Sequence, residues 1–115
     1  MGAAIPKFSD IVDLLNTLYN NDPNIGDAPH RAFWQNTTRD VFIARTTEAW
    51  GVAGSLVTLG DPSKSNLYLA LAGMAPFDGS QLPQMPDTDA DPNGRHATTA
   101  ELEMVTAWIT NNAPA

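Results

Sequence analysis

Gly60–Gly73 reads GDPSKSNLYLALAG, Gln84–Asp87 reads QMPD, and Thr98–Pro114 reads TTAELEMVTAWITNNAP. The reading of these pieces decides the fold. The first is a turn followed by a short helix over Ser63–Ala72, capped by Ser63 and stopped by Gly73. Leu67, Tyr68 and Leu71 form its inner stripe. The last is an amphipathic helix. Thr98 and Glu101 make a full capping box, Leu102, Val105, Trp108 and Ile109 make the apolar stripe, and Asn112 supplies a left-handed end. Between them, Met74–Ala97 has no apolar period and reads as a long loop that presents Met85.

Upstream, Ser9–Asn20 predicts a first helix. Ser9 is its expected cap, Phe8 the staple residue, and Ile11, Leu14, Leu15 and Leu18 the one-sided stripe. Asn24–Asn36 is irregular, and its Phe33 and Trp34 are expected to be buried. Thr37 to about Thr46 predicts a second helix, with Thr37 and Asp40 as the capping pattern, Val41 and Phe42 facing inward, and Arg39 and Arg45 in water. Trp50–Asp61 is either a short extended segment or a buried loop. Four short helices joined by long loops make the expected fold class all-α, in a single domain over 1–115.

The chain has 115 residues, nine of them proline and eight glycine, enough for one modest core with many loops. Its formal charge of −7 comes without a Lys/Arg cluster. Such a surface is repelled by phosphate backbones, so nucleic acid and anionic membranes are not expected partners, whereas a basic protein partner would suit it. No apolar run is long enough for a transmembrane helix. The opening MGAAIPKF lacks the charged and apolar regions of a signal peptide, so a mature domain without its leader is expected. There is no cysteine, which removes disulfides, zinc–thiolate sites and cysteine-held iron–sulfur clusters.

The order GDPSKSNLYLAL, QMP, ELEMVTAWITNNAP resembles the distal half of a class I cytochrome c domain. The resemblance covers about half the chain by motif and the rest by helix order. It implies an all-α cytochrome-c-like fold and an origin as one module of a larger bacterial protein, periplasmic or extracellular. In that family CxxCH lies near the end of the first helix; its thiols attach haem and its histidine ligates the iron. Here that place reads Leu15-Asn16-Thr17-Leu18-Tyr19, with Leu, Leu and Tyr where Cys, Cys and His would stand. The expectation is a haem-free domain with a filled interior around Leu15, Leu18 and Tyr19.

The family's methionine before proline is an iron ligand, which makes Met85 the corresponding residue. Met85 is read here as a packed, adaptable core residue. The alternative is a non-covalent haem with His30 and Met85 as axial ligands, which would need an open pocket between the first and last helices. His30 otherwise reads as a structural histidine beside Phe33 and Trp34, and His96 as exposed. Met74, Met85 and Met104 with the histidines also have the chemistry of a copper site, although no spacing demands one.

Asp87, Asp89, Asp91 and Asn93 place oxygen side chains at alternate positions, as calcium loops do. The pattern departs from the EF-hand at Pro92 and Thr98, where glycine and a bidentate acid belong. A calcium site would therefore need another acid such as Asp78; the bland reading is a solvated acidic loop. No GxSxG, P-loop, HExxH or GxGxxG motif occurs, and no enzymatic role is expected. The expected function is a structural or protein-interaction role, carried by exposed aromatics and the Met74–Asp91 loop.

Overall fold

The computed structural model describes residues 5–18, 34, 37–48, 53–75, 77–80, 84–85 and 94–115. Among them are four α-helices and no strand: α1 (Phe8–Leu18), α2 (Arg39–Ala44), α3 (Asn66–Ala72) and α4 (Thr99–Thr110). The expected all-α class is therefore what the chain adopts. Helix α4 packs against both α1 and α3.

Helix α1 starts one residue before the expected cap. The Lys7 carbonyl accepts from Asp10 N–H and Ile11 N–H, and Lys7 N–H donates to the Asp10 carboxylate at 2.8 Å. Asp10 reaches back as the acidic half of a capping box does, so Ser9 lies inside the helix and is exposed. Ile11, Leu14, Leu15 and Leu18 are all buried, as their spacing predicts.

In α2 the cap is Thr38, not Thr37: its hydroxyl accepts from Val41 N–H. Phe42 points into the core, while Val41, expected inside, is 56% exposed. Arg39, expected in water, is only 26% exposed along its side chain because it reaches the C-terminal end of α4.

Pro62–Lys64 forms a separate 3₁₀ turn, and Ser65, not Ser63, is the residue before α3. The buried Ser65 hydroxyl accepts from Thr58 N–H at 2.8 Å and donates to the Asp61 carbonyl at 2.9 Å. It ties the turn to the preceding loop and leaves the helix end alone. Gly73 stops α3 at φ +68°, with Met74 N–H on the Leu69 carbonyl and Gly73 N–H on the Ala70 carbonyl.

The segment around Leu56 and Val57 is a buried loop with one isolated bridge, Thr46 to Ser55. It is threaded between neighbours: Leu56 N–H donates to the Arg45 carbonyl, and Leu67 N–H donates to the Leu56 carbonyl. The buried Asn66 donates to Thr47 Oγ1 at 2.6 Å, and the Thr47 hydroxyl donates to the Gly54 carbonyl. Polar groups inside the fold are thereby paired.

Helix α4 has the predicted box in full. Glu101 N–H donates to the Thr98 hydroxyl, and Thr98 N–H donates to the Glu101 carboxylate. Its end is left-handed at Asn112, as expected, and also at Ala113, where φ is +52°.

Candidate functional site

Where α1 packs against α4, Phe8, Phe42 and Trp108 meet. The Phe8 and Phe42 ring centroids are 5.1 Å apart, Phe8 stacks on Trp108 at 6.2 Å, and Phe42 meets Trp108 edge-on at 6.0 Å. These are favourable aromatic distances. The Trp108 indole N–H donates to the Pro114 carbonyl, which also receives Phe8 N–H.

Leu15 and Leu18, at the places matched to the family's cysteines, are fully buried in the same apolar cluster as Trp34, Met85 and Trp108. Asn16, between them, accepts from the Trp34 indole N–H at 2.8 Å. Tyr19, His30 and Phe33 lie outside the described residues, so the His30–Met85 pair has no geometry here. The chain supplies no thiol to which a haem could be attached covalently.

Met85 is 5% exposed, and its N–H donates to the Ala70 carbonyl at 2.9 Å. Phe77 is 2% exposed. Met85 is thus the packed core residue the sequence reading favoured, and Phe77 joins the same core, so neither adds to an exposed apolar patch. Leu82 lies outside the described residues, whereas Met74 and His96 are exposed.

Asp87, Asp89, Asp91 and Asn93 also lie outside the described residues. Asp78, the proposed fourth acid, folds back on its own turn: its carboxylate accepts from Ser80 N–H at 3.0 Å, and hydrogen bonds from Ser80 hold its pKa below the usual carboxylate value. Among the described residues no group of three or more His, Cys, Asp or Glu side chains could hold a metal ion.

Two polar constellations escaped the sequence reading. Arg95 sits in the segment before α4. Its N–H donates to the Leu18 carbonyl at the end of α1, and its guanidinium grips Glu101 through two bonds of 2.7 and 2.8 Å. Arg95, with help from Thr98, holds the Glu101 carboxyl down at about 2. Arg39 does the equivalent at the other end of α4, donating to the carbonyls of Ala113 and Asn112. Arg–carboxylate forks have a sequence signal in the spacing of Arg95 and Glu101, but an arginine aimed at backbone carbonyls has none. The exposed face of α2 adds a shallow concavity of about 450 Å³ lined by Asp40, Val41, Ala44 and Arg45.

No helix among the described residues is long and apolar enough to cross a membrane. Compared with protein-family models, curated proteins and solved structures, the chain matches none of them.

Proposed function

We propose that the chain is a non-catalytic, haem-free module of cytochrome-c-like architecture, serving as a structural or protein-interaction domain of a larger protein. The observation that supports it best is the complete burial of Leu15 and Leu18 in one apolar cluster with Met85. Burying such side chains stabilises a fold by about 1.5–3 kcal/mol each. An interior closed in this way stabilises itself without a macrocycle. The aromatic contact between α1 and α4 adds further apolar packing to the same interior. The net charge of −7 and the exposed Val41 beside Arg45 suit a basic protein partner with some apolar surface.

The test is an absorbance spectrum of the purified chain before and after adding hemin. The expected result is tryptophan and tyrosine absorption alone, with the hemin band unchanged from free hemin. A saturable shift of the Soret band, lost in His30→Ala and Met85→Ala, would overturn the reading and restore an electron-transfer role. Calcium is checked on the same sample by melting temperature. A rise in excess calcium would make the acidic loop a binding site, because a ligand of the native state must stabilise it.

A further inference from the structure

Phe77–Ser80 reads FDGS, and Asp78 is the only aspartate of the chain that is followed by glycine. These residues leave the core within one step. Phe77 is buried, with its N–H on the Met74 carbonyl at 2.8 Å, whereas Asp78, Gly79 and Ser80 are exposed. The Asp78 carboxylate accepts from Ser80 N–H at 3.0 Å. That bond folds the side chain forward along its own main chain and closes a ring containing the Gly79 nitrogen. Gly79 has φ +95°, a conformation that glycine takes without strain, and it has no side chain to shield that nitrogen. The other described aspartates lack this combination. Ile11 N–H, after Asp10, donates to the Lys7 carbonyl, and Val41 N–H, after Asp40, donates to the Thr38 hydroxyl. Leu14, after Asp13, is buried inside α1. Asp61 is followed by proline, which has no N–H.

We propose that Asp78-Gly79 is a site of spontaneous main-chain rearrangement, at which aspartate is converted to isoaspartate in the folded protein. The Gly79 nitrogen attacks Asp78 Cγ and forms a new N–C bond. The carboxyl hydroxyl leaves as water, taking up the proton of that nitrogen, and a five-membered succinimide remains. A water molecule then opens the ring. Addition at Cγ restores aspartate, whereas addition at the main-chain carbonyl carbon leaves the chain running through the Asp78 side chain. Nothing is oxidised or reduced, and the water lost is regained, so the mass is unchanged. The hydrogen bonds from Ser80 hold the carboxyl ionised, which slows the loss of its hydroxyl and makes the change one of ageing. The product carries one extra methylene in the main chain directly after the buried Phe77. The inference does not depend on the family reading.

The test is warm incubation of the intact chain in dilute buffer for several weeks, followed by mass spectrometry with main-chain fragmentation, which shows at each aspartate whether the methylene has moved. Isoaspartate is expected at Asp78, at a level at least about tenfold above Asp10, Asp13, Asp40 and Asp61, equivalent to a barrier lower by about 1.4 kcal/mol. Asn93-Gly94 reaches isoaspartate by losing ammonia instead, and the resulting gain in mass separates the two products. Gly79→Ala should slow the change at Asp78 by about tenfold, because a methyl group crowds the attacking nitrogen. An Asp78 that stays unaltered overturns the proposal. So does isoaspartate at the four other aspartates to the same extent, or a Gly79→Ala chain that rearranges as fast as the wild type. The comparison among aspartates of the wild type decides the matter even if Gly79→Ala fails to fold.

Discussion

Arg39, the first residue of α2, donates from Nε to the carbonyl of Ala113 at 2.7 Å, seventy-four residues further along the chain. A second bond runs to the Asn112 carbonyl at 2.9 Å. These carbonyls belong to a left-handed turn in which Ala113 takes φ +52°, a conformation that costs a residue with a Cβ about 1–2 kcal/mol. The arginine offsets that cost by pairing groups the turn leaves without helical partners. Arg39→Ala should lower stability by about 1–2 kcal/mol, seen as a lower urea midpoint at unchanged slope. Arg39→Lys should recover only part, since a point charge cannot serve two carbonyls in a fixed fork. Asp40→Ala, which removes an exposed ion-pair partner, should change little.

The Arg95–Glu101 fork predicts a pH dependence. The Glu101 carboxyl is lowered from 4.5 to about 2 in the folded chain, chiefly by the Arg95 guanidinium. A depressed carboxyl stabilises the fold above its unfolded pKa and ceases to do so as it protonates. The contribution should therefore be complete above about 4.5 and fade as pH falls towards 2. Because Arg95 is nearly half exposed, solvent screening limits the gain to roughly 1 kcal/mol. Glu101→Gln should be less stable at neutral pH by that amount. Its urea midpoint should converge on the wild-type value in the acid range; a constant offset down to the lowest pH would refute the assignment.

Trp108 carries two loads, filling the α1–α4 contact and holding Pro114 through its indole N–H. Trp108→Ala should cost about 3–5 kcal/mol, a large part of the stability of a domain this size. Trp108→Phe keeps most of the ring but drops the hydrogen bond, and should cost about 1–2 kcal/mol. Thermal melts of the two variants separate packing from pairing.

Asn66 is buried and bonded to Thr47 Oγ1 and to the Ala53 carbonyl. Asn66→Ala leaves those acceptors with fewer donors and should cost about 1–3 kcal/mol. Asn66→Asp should cost more, because the new charge faces the Ala53 carbonyl with no donor to offer it. Denaturant unfolding of both variants gives the ranking.

Met85→Leu should cost less than about 1.5 kcal/mol, as volume-conserving apolar exchanges do. A larger loss would mean the thioether makes a specific contact that leucine cannot replace.

The four helices and their stripes are legible in the sequence because each is a local matter. Ile11, Leu14, Leu15 and Leu18 must share a face of any helix that contains them. Thr98 and Glu101 reciprocally cap one another within four residues, and Gly73 is free to turn left-handed wherever it stands. The misjudged positions are those at which local signals tie. Thr37 and Thr38 are equal candidates for a cap, and the inward turn of Arg39 depends on the distant Asn112 and Ala113 carbonyls, which no local signal reports. Ser63 and Ser65 are rivals in the same way, and the long-range demand of the Thr58–Asp61 loop settles which one is buried.

Of the candidate site, the sequence alone establishes that no thiol exists to hold a haem and that Leu15 and Leu18 are leucines. Helical spacing alone already places those leucines inward. The tertiary structure decided the rest: that Phe8, Phe42 and Trp108 meet, that Arg39 reaches the Asn112–Ala113 turn, and that Met85 N–H meets the Ala70 carbonyl of α3. Each of these joins residues far apart in the chain. Periodicity and capping report only on neighbours within a turn or two, whereas such contacts exist only once the helices have packed and brought unpaired carbonyls and rings within reach.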